Sequence, residues 1–141
     1  MLVKQLIDQK GRAVITVAPR DSVYSAIALM AEKGIGALLV LEGDHIAGVL
    51  SERDYARKVI LQDRSSKTTE VREIMTTRVV TGKPNQTVQE CMALMTEKRI
   101  RHLPIMEGDT LYGMISIGDL VKAIIADQQF VISQLETYIN G

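Results

Sequence analysis

The stretch Gly48-Val49-Leu50-Ser51-Glu52-Arg53-Asp54 decides the fold, because it returns 65 residues later as Gly113-Met114-Ile115-Ser116-Ile117-Gly118-Asp119. Between residues 14 and 54, 17 of 41 positions are identical to the positions 65 residues further on, and the alignment needs no gap. Two copies are too few for a solenoid, which needs at least three stacked units. The sequence therefore predicts a pair of duplicated half-domains.

Each copy shows the pattern of a strand, a helix, two strands and a second helix. Residues 37–41 are apolar at every position, which is typical of a strand covered on both faces. Gly43-Asp44 and Gly108-Asp109 stand between apolar runs and predict tight hairpin turns. The glycines within the following strands, Gly48 and Gly113, indicate close approach of another backbone or of a ligand. The predicted class is α+β, with short additional helices at both ends.

The domain plan follows from the repeat and from a polar segment between the copies. We predict a lead-in helix and the first copy over residues 1–61, a linker over 62–73, the second copy over 74–126 and a helical tail over 127–141. The tail keeps an apolar stripe at helical spacing, formed by Phe130, Leu135, Tyr138 and Ile139. This stripe either folds back on the core or meets a second chain, and the pattern leaves both readings open.

Composition excludes several classes of partner. Lysine plus arginine and aspartate plus glutamate both count 17, so no net field attracts nucleic acid or an anionic membrane. The single cysteine, Cys91, excludes an internal disulfide, and its place on an apolar helix stripe predicts a buried, inert thiol. The apolar runs are too short to cross a bilayer, and the first residues lack a secretory signal. We expect a cytoplasmic protein, although a removed transit peptide is an open alternative.

Catalytic motifs are missing from the sequence. It has no nucleophile elbow, no phosphate-binding loop of the G-x-x-x-x-G-K type and no H-E-x-x-H. His45 and His102 have no repeated partner at metal-ligand spacing. We therefore expect no enzyme activity, no metal and no catalytic cofactor.

The repeated serine and aspartate are the candidate binding residues. In each copy the serine ends a predicted strand, and the aspartate follows in the first turn of a helix. An ionised aspartate at this place can accept hydrogen bonds from two vicinal hydroxyls, and a ribose presents such a diol. The alternative is that Ser51 with Asp54, and Ser116 with Asp119, only cap their helices.

The chain resembles the CBS-domain pair, or Bateman module, in its stand-alone form. The likeness is carried by Gly48–Asp54, by Gly113–Asp119 and by Ile100-Arg101-His102-Leu103-Pro104-Ile105, and it covers roughly residues 10–125. Within this family the chain looks most like the small single-module proteins of bacteria and plant organelles. The resemblance implies that the two copies pack about a pseudo-two-fold axis and that clefts between them bind adenosine compounds.

The resemblance also assigns residues to two unequal clefts. The stronger site is expected to comprise Ser51, Arg53, Asp54, Met75, Val80, Ile100, Arg101 and His102. The weaker site is expected to comprise Lys10, Ile15, Ile35, Ser116 and Asp119. The ranking rests on the arginines, because a guanidinium group matches phosphate oxygens and the equivalents of Arg53 and Arg101 are glycines.

The implied function is a non-enzymatic regulatory module that senses energy or redox state for a partner protein. AMP is the ligand expected first, with ADP, ATP and NAD(H) as alternatives, and the sequence does not identify the regulated partner. The resemblance further implies a homodimer in which helices such as the one bearing Val23, Ile27 and Met30 meet their symmetry mates. The alternative function is a ligand-independent dimeric scaffold or partner-regulating module. A likeness to the inserted domain of inosine-monophosphate dehydrogenases would make the chain a regulator at most.

Overall fold

The computed structural model describes residues 1–140, which form six α-helices and five strands. In chain order these are α1 (Val3–Lys10), β1 (Thr16–Val17), α2 (Val23–Lys33), β2 (Ala37–Glu42), β3 (His45–Ser51), α3 (Glu52–Tyr55), α4 (Val71–Ile74), α5 (Val88–Lys98), β4 (His102–Glu107), β5 (Thr110–Ser116) and α6 (Ile117–Asn140). A π-helical segment, Ala56–Ile60, follows α3 directly. Gly141, the last residue of the predicted tail, lies outside the described residues.

The chain divides into two compact units that do not coincide with its two sequence halves. The first-repeat unit is Val14–Val80, and the second-repeat unit joins Met1–Ala13 to the chain from Thr81 onward. The lead-in helix α1 therefore packs with the second repeat, although it precedes the first. No helix among residues 1–140 is long and apolar enough to cross a membrane.

The first-repeat unit contains a three-stranded sheet in the order β1-β2-β3. Strand β1 runs parallel to β2, and β3 runs antiparallel to it. Ala37, Leu38, Leu39 and Val40 are all buried, as the uniformly apolar run predicts. The core of this unit also contains Leu50, Val59 and the helix residues Val71 and Ile74.

The apolar stripe of α2 is buried within its own unit. Val23 and Ala26 are fully buried and Met30 is 1% exposed, because these side chains pack in the core of their own unit. The expected homodimer, in which helices such as the one bearing Val23, Ile27 and Met30 meet their symmetry mates, stays a prediction.

The second-repeat unit has a shorter sheet. Strands β4 and β5 pair antiparallel, while the segment equivalent to β1 forms only one parallel bridge, between Gly82 and Ile105. Pro104 occupies the position equivalent to Leu39, and proline has no N–H with which to extend the ladder. The predicted first strand of this copy is therefore reduced to a bridge.

The predicted hairpin turns are confirmed, and polar residues and a glycine cap α2 and α5. Gly43 and Gly108 adopt positive φ in the two hairpin turns. Ser22 caps α2, and Thr87 with Glu90 forms a capping box on α5. Gly34 ends α2 in the left-handed conformation, which glycine adopts without steric cost.

The last helix is longer than the sequence predicts. A closing helix to residue 126 and a separate short tail helix were expected, but α6 runs without a break from Ile117 to Asn140. No glycine or proline occurs after Gly118 within it, so nothing interrupts its hydrogen-bond ladder. Leu120 is its only fully buried residue.

Candidate functional site

Ser51 and Asp54 form a closed hydrogen-bonded corner where β3 meets α3. The Ser51 N–H and the Ser51 hydroxyl both donate to Oδ2 of Asp54 at 3.0 Å. The Asp54 N–H donates in return to Oγ of Ser51 at 3.1 Å. The expected capping role is thus present, and it uses one of the two carboxylate oxygens.

Within its own unit, residues 14–80, the other carboxylate oxygen of Asp54 has only long contacts. Thr76 donates its hydroxyl to Oδ1 at 3.4 Å, and the Lys58 ammonium lies at the same distance. The shorter contact of Lys58 is its donation to the backbone oxygen of Ile74 at 2.9 Å. Oδ1 therefore keeps the capacity to accept stronger hydrogen bonds from a ligand.

The segment that follows α4 holds Thr76 beside Asp54. Val49 and Thr76 exchange two backbone hydrogen bonds, at 3.0 Å and 2.9 Å. Gly48 permits this contact, because a Cβ atom there would lie 2.7 Å from the Thr76 carbonyl oxygen and 2.9 Å from Sδ of Met75. The predicted close approach at this glycine is confirmed, and the approaching group is backbone.

The helix that carries Asp54 changes form after one turn. Residues 52–55 are α-helical, and Ala56–Ile60 continue as a π-helix. Single-turn π segments inside helices are frequent at functional sites. In the second repeat the equivalent segment is regular α-helix within α6.

Ser116 and Asp119 form the equivalent corner of the second-repeat unit. The Ser116 N–H donates to Oδ2 of Asp119 at 2.9 Å, and the Asp119 N–H donates to Oγ of Ser116 at 3.1 Å. Lys10 adds an ion pair to the same Oδ2 at 2.7 Å and also donates to the Met114 carbonyl oxygen at 3.0 Å. Burial would raise the pKa of Asp119, but hydrogen bonds from Lys10 and Ser116 outweigh it and lower that pKa.

Helix α1 is fastened to β5 by contacts on either side of Lys10. The Tyr112 hydroxyl donates to Oδ1 of Asp8 at 2.6 Å, and the Arg12 guanidinium lies 3.9 Å above the Tyr112 ring. Ile7 fills the space over Gly113, where a Cβ atom would lie 2.7 Å from its Cγ2. These contacts hold the end of α1 where Lys10 reaches Asp119.

The structure brings part of each predicted site together. In the first-repeat unit Ser51 and Asp54 meet, and Met75 lies against Gly48 of β3. In the second-repeat unit Ser116, Asp119 and Lys10 meet. Two of the predicted second-site residues, Ile15 and Ile35, are half-buried and pack against the core of the first-repeat unit.

The remaining predicted residues lie as follows within their own units. Arg53 is exposed in the first turn of α3, and Val80 is half-buried at the end of its unit. Ile100 donates its N–H to the Met95 oxygen, Arg101 is exposed, and His102 pairs with Ser116 across β4 and β5. The assignment of Ile100, Arg101 and His102 to the Asp54 site, and of Ile15 and Ile35 to the Asp119 site, stays a prediction.

Two residues of the Asp54 corner were missed by the sequence reading. Lys58 stands four residues after Asp54, and this helical spacing is a signal that could have found it. Thr76 left no such signal, because its contact with Asp54 spans 22 residues.

Other chemistry is sparse in the described part of the chain. Among residues 1–140 no group of three metal-ligating side chains comes together. Cys91 is buried, and desolvation raises the pKa of its thiol to about 11, in agreement with the predicted inert role.

A cavity of about 490 Å³ lies near the β4–β5 turn, with Lys4 and Lys83 among its lining residues. It is at the end of this hairpin opposite to Ser116.

Comparison with known proteins adds an independent finding. Residues 4–61 and 71–126 each match the family model described as CBS domain. The mitochondrial CBS domain-containing protein CBSX3 of Arabidopsis thaliana is 42% identical over 126 residues, which are 86% of this chain. The chain spans 61% of the length of that relative.

Solved structures agree with the architecture. A protein with CBS domains from Burkholderia ambifaria MC40-6 is 60% identical, with a TM-score of 0.87 over 91% of this chain and 96% of its own. The CBS domain pair of protein MJ0100, solved with 5′-methylthioadenosine and S-adenosyl-L-methionine, is 20% identical, with a TM-score of 0.80 over 90% and 98%. At that identity the second likeness concerns the fold alone.

Proposed function

Because this chain belongs to the CBS domain family, we propose that it is a non-enzymatic regulatory module that binds an adenine nucleotide at the Asp54 corner. AMP is the ligand to test first, with ADP, ATP and NAD(H) as alternatives. The module would report energy or redox state to a partner protein. Regulation of that kind requires the nucleotide to bind two shapes of the module unequally.

The proposal rests on one observation, which is that the two carboxylate oxygens of Asp54 have different contacts. Oδ2 accepts the capping bonds from Ser51, and within residues 14–80 Oδ1 has only two contacts, both of 3.4 Å. A ribose diol that donates to Oδ1 would replace long contacts by charge-assisted bonds of normal length. The Asp54 side chain is 13% exposed, so water competes weakly for these bonds.

Cations near this corner suit a nucleotide rather than a plain nucleoside. Lys58 lies 3.4 Å from Asp54, and Arg53 is exposed one residue before it. Phosphate oxygens accept from guanidinium groups in bidentate geometry and from ammonium groups as point charges. The fold itself accommodates adenosyl compounds in one protein of the same architecture, the MJ0100 domain pair.

The direct test compares AMP binding by the wild type with that of Asp54→Asn, using isothermal titration calorimetry. The amide oxygen of asparagine can replace Oδ2 as the acceptor of the Ser51 N–H at the N3 position of the capping box, so the cap is kept while the charged acceptor is lost. We expect at least a tenfold weaker affinity, since one charge-assisted hydrogen bond contributes about 1.5–3 kcal/mol. Asp44→Asn, in the exposed hairpin turn, is the matched control and should bind AMP like the wild type. Equal AMP affinity in Asp54→Asn and the wild type would refute the role of Asp54.

A second function, a ligand-independent scaffold, is favoured by one specific observation. Both carboxylates already serve as caps, and Asp119 also holds an ion pair with Lys10. Thermal unfolding with each nucleotide distinguishes the two functions, because a ligand at 100 times its Kd stabilises the native state by about 2.7 kcal/mol. The scaffold predicts no change of Tm with AMP, ADP, ATP or NADH.

A further inference from the structure

The distal part of α6 carries apolar side chains that its own chain does not cover. Leu120 is buried and Ile124 is half-buried, but every residue from Ile125 to Asn140 is exposed. The exposed fraction reaches 86% at Tyr138 and 77% at Ile139. A helical segment of about 15 residues is marginal alone in water, so this segment needs a cover.

The spacing of the apolar residues identifies the kind of cover. Along one stripe the steps alternate between three and four residues, as in a coiled-coil seam: Val121, Ile124, Gln128, Val131, Leu135 and Tyr138. Isoleucines at intervals of seven widen this face on one side: Ile125, Ile132 and Ile139. We call these nine residues the α6 face. A face with this spacing packs against another helix.

The few charged residues of this segment narrow the class of partner further. From Ala123 to Asn140 the only charged residues are Asp127 and Glu136, and neither lies on the α6 face. A helix that lies on an anionic membrane carries lysine and arginine on its polar side, and this segment has neither. Depletion of charge is instead the signature of the buried centre of a protein interface.

We propose that the α6 face binds the α6 helix of a second copy of this chain, parallel and in register. Gln128 selects the register, because a parallel pair places it opposite its own counterpart, where the two amides satisfy each other. An antiparallel pair would bury the amide against apolar side chains. The proposal is independent of nucleotide binding, since no residue of the α6 face belongs to either serine–aspartate corner.

The area of the face is sufficient for a stable pair. Seven of its residues are large, exposed apolar side chains, each exposing on the order of 100 Å². Their sum, roughly 700 Å² per copy, is close to the ~800 Å² per partner of a standard specific interface.

Disulfide trapping tests the parallel register. Under mild oxidation, Gln128→Cys should form at least ten times more covalent dimer than Ser133→Cys, a matched exposed position on the opposite side of α6. The wild type is the blank, because its single cysteine is buried. Equal trapping of the two variants, or no trapping of Gln128→Cys, would overturn the proposal.

Sedimentation equilibrium tests the face without oxidation. The double variant Ile132→Asp and Leu135→Asp should weaken self-association at least 100-fold, whereas Glu136→Gln should leave it unchanged. An unchanged dissociation constant in the double variant would overturn the proposal. AMP titration of the same variants keeps this result separate from the nucleotide hypothesis, which is tested by AMP binding to the wild type and to Asp54→Asn.

Discussion

The two serine–aspartate corners have the same local geometry and different surroundings. In both, the serine N–H donates to the aspartate carboxylate, and the aspartate N–H donates to the serine hydroxyl. Asp54 faces Thr76 and Lys58 at 3.4 Å, whereas Asp119 is held by Lys10 at 2.7 Å. Oδ2 is therefore the capping oxygen in both repeats, whereas the other side chains that contact the carboxylate differ between the repeats.

The difference comes from the segments that cover the two strands. Backbone of Thr76 covers β3 of the first repeat, while helix α1 covers β5 of the second. A neutral hydroxyl at long range leaves a carboxylate receptive to a ligand, and a short ion pair competes with one. Duplication thus supplied two equal corners, and the covering segments made one of them the better candidate for binding.

The largest effect is expected where the covering segments touch the two strand glycines. Gly48→Ala should lower the free energy of unfolding by about 2 kcal/mol, because its Cβ meets the backbone oxygen of Thr76 at 2.7 Å. Gly113→Ala should cost less, about 1 kcal/mol, because its Cβ meets a side-chain methyl of Ile7 and not backbone. Urea unfolding of both variants measures the difference. A larger cost at Gly113 would contradict this account of the two covers.

An intermediate effect is expected at the ends of the two equivalent helices. Gly34 and Arg99 both end their helices at positive φ, with values of 65° and 55°. Gly34→Ala should destabilise the protein by about 1 kcal/mol, and Arg99→Gly should stabilise it by about 0.5 kcal/mol, because only glycine adopts this conformation without a Cβ clash. Differential scanning calorimetry should place the two Tm values on opposite sides of the wild type. A lower Tm for Arg99→Gly would show that its side chain makes a stabilising contact.

The smallest effect is expected at the ion pair of the second corner. The lowered pKa of Asp119 means that its stabilisation is present above the unfolded pKa and is lost as pH falls through the folded pKa, in the window below about pH 4. Lys10→Met should cost less than about 1 kcal/mol at pH 6, and this cost should shrink as the pH falls. Lys4→Met, an exposed residue of the same helix, is the control. A carboxyl titration by NMR that finds the same Asp119 pKa in Lys10→Met would contradict the role of Lys10.

Much of the fold was accessible to sequence reasoning because its signals are local. The family expected from Gly48–Asp54 and Gly113–Asp119 is confirmed by the two matched segments. The hairpin turns and the buried run of β2 were predicted correctly from residue types. Pro104 also carried a local signal for the shortened sheet, since proline cannot donate to a ladder.

Other features escaped sequence reasoning for separate physical reasons. The π-helical segment after Tyr55 could not be predicted, because no residue type in it signals a π-helix. The length of α6 was underestimated because a mostly polar tail weakened its apolar signal.

The sequence by itself determined the duplicated architecture and the two capped corners, because these depend on contacts within four residues of the chain. Only the tertiary structure decided what each carboxylate faces, since Lys10 and Asp119 are 109 residues apart and Thr76 lies 22 residues from Asp54. Such pairs form when helices and strands pack. The side chain that contacts each aspartate therefore depends on which segment covers the strand before it. The surroundings of the Asp54 carboxylate are therefore a property of packing, built on a cap that any four-residue serine–aspartate turn can form.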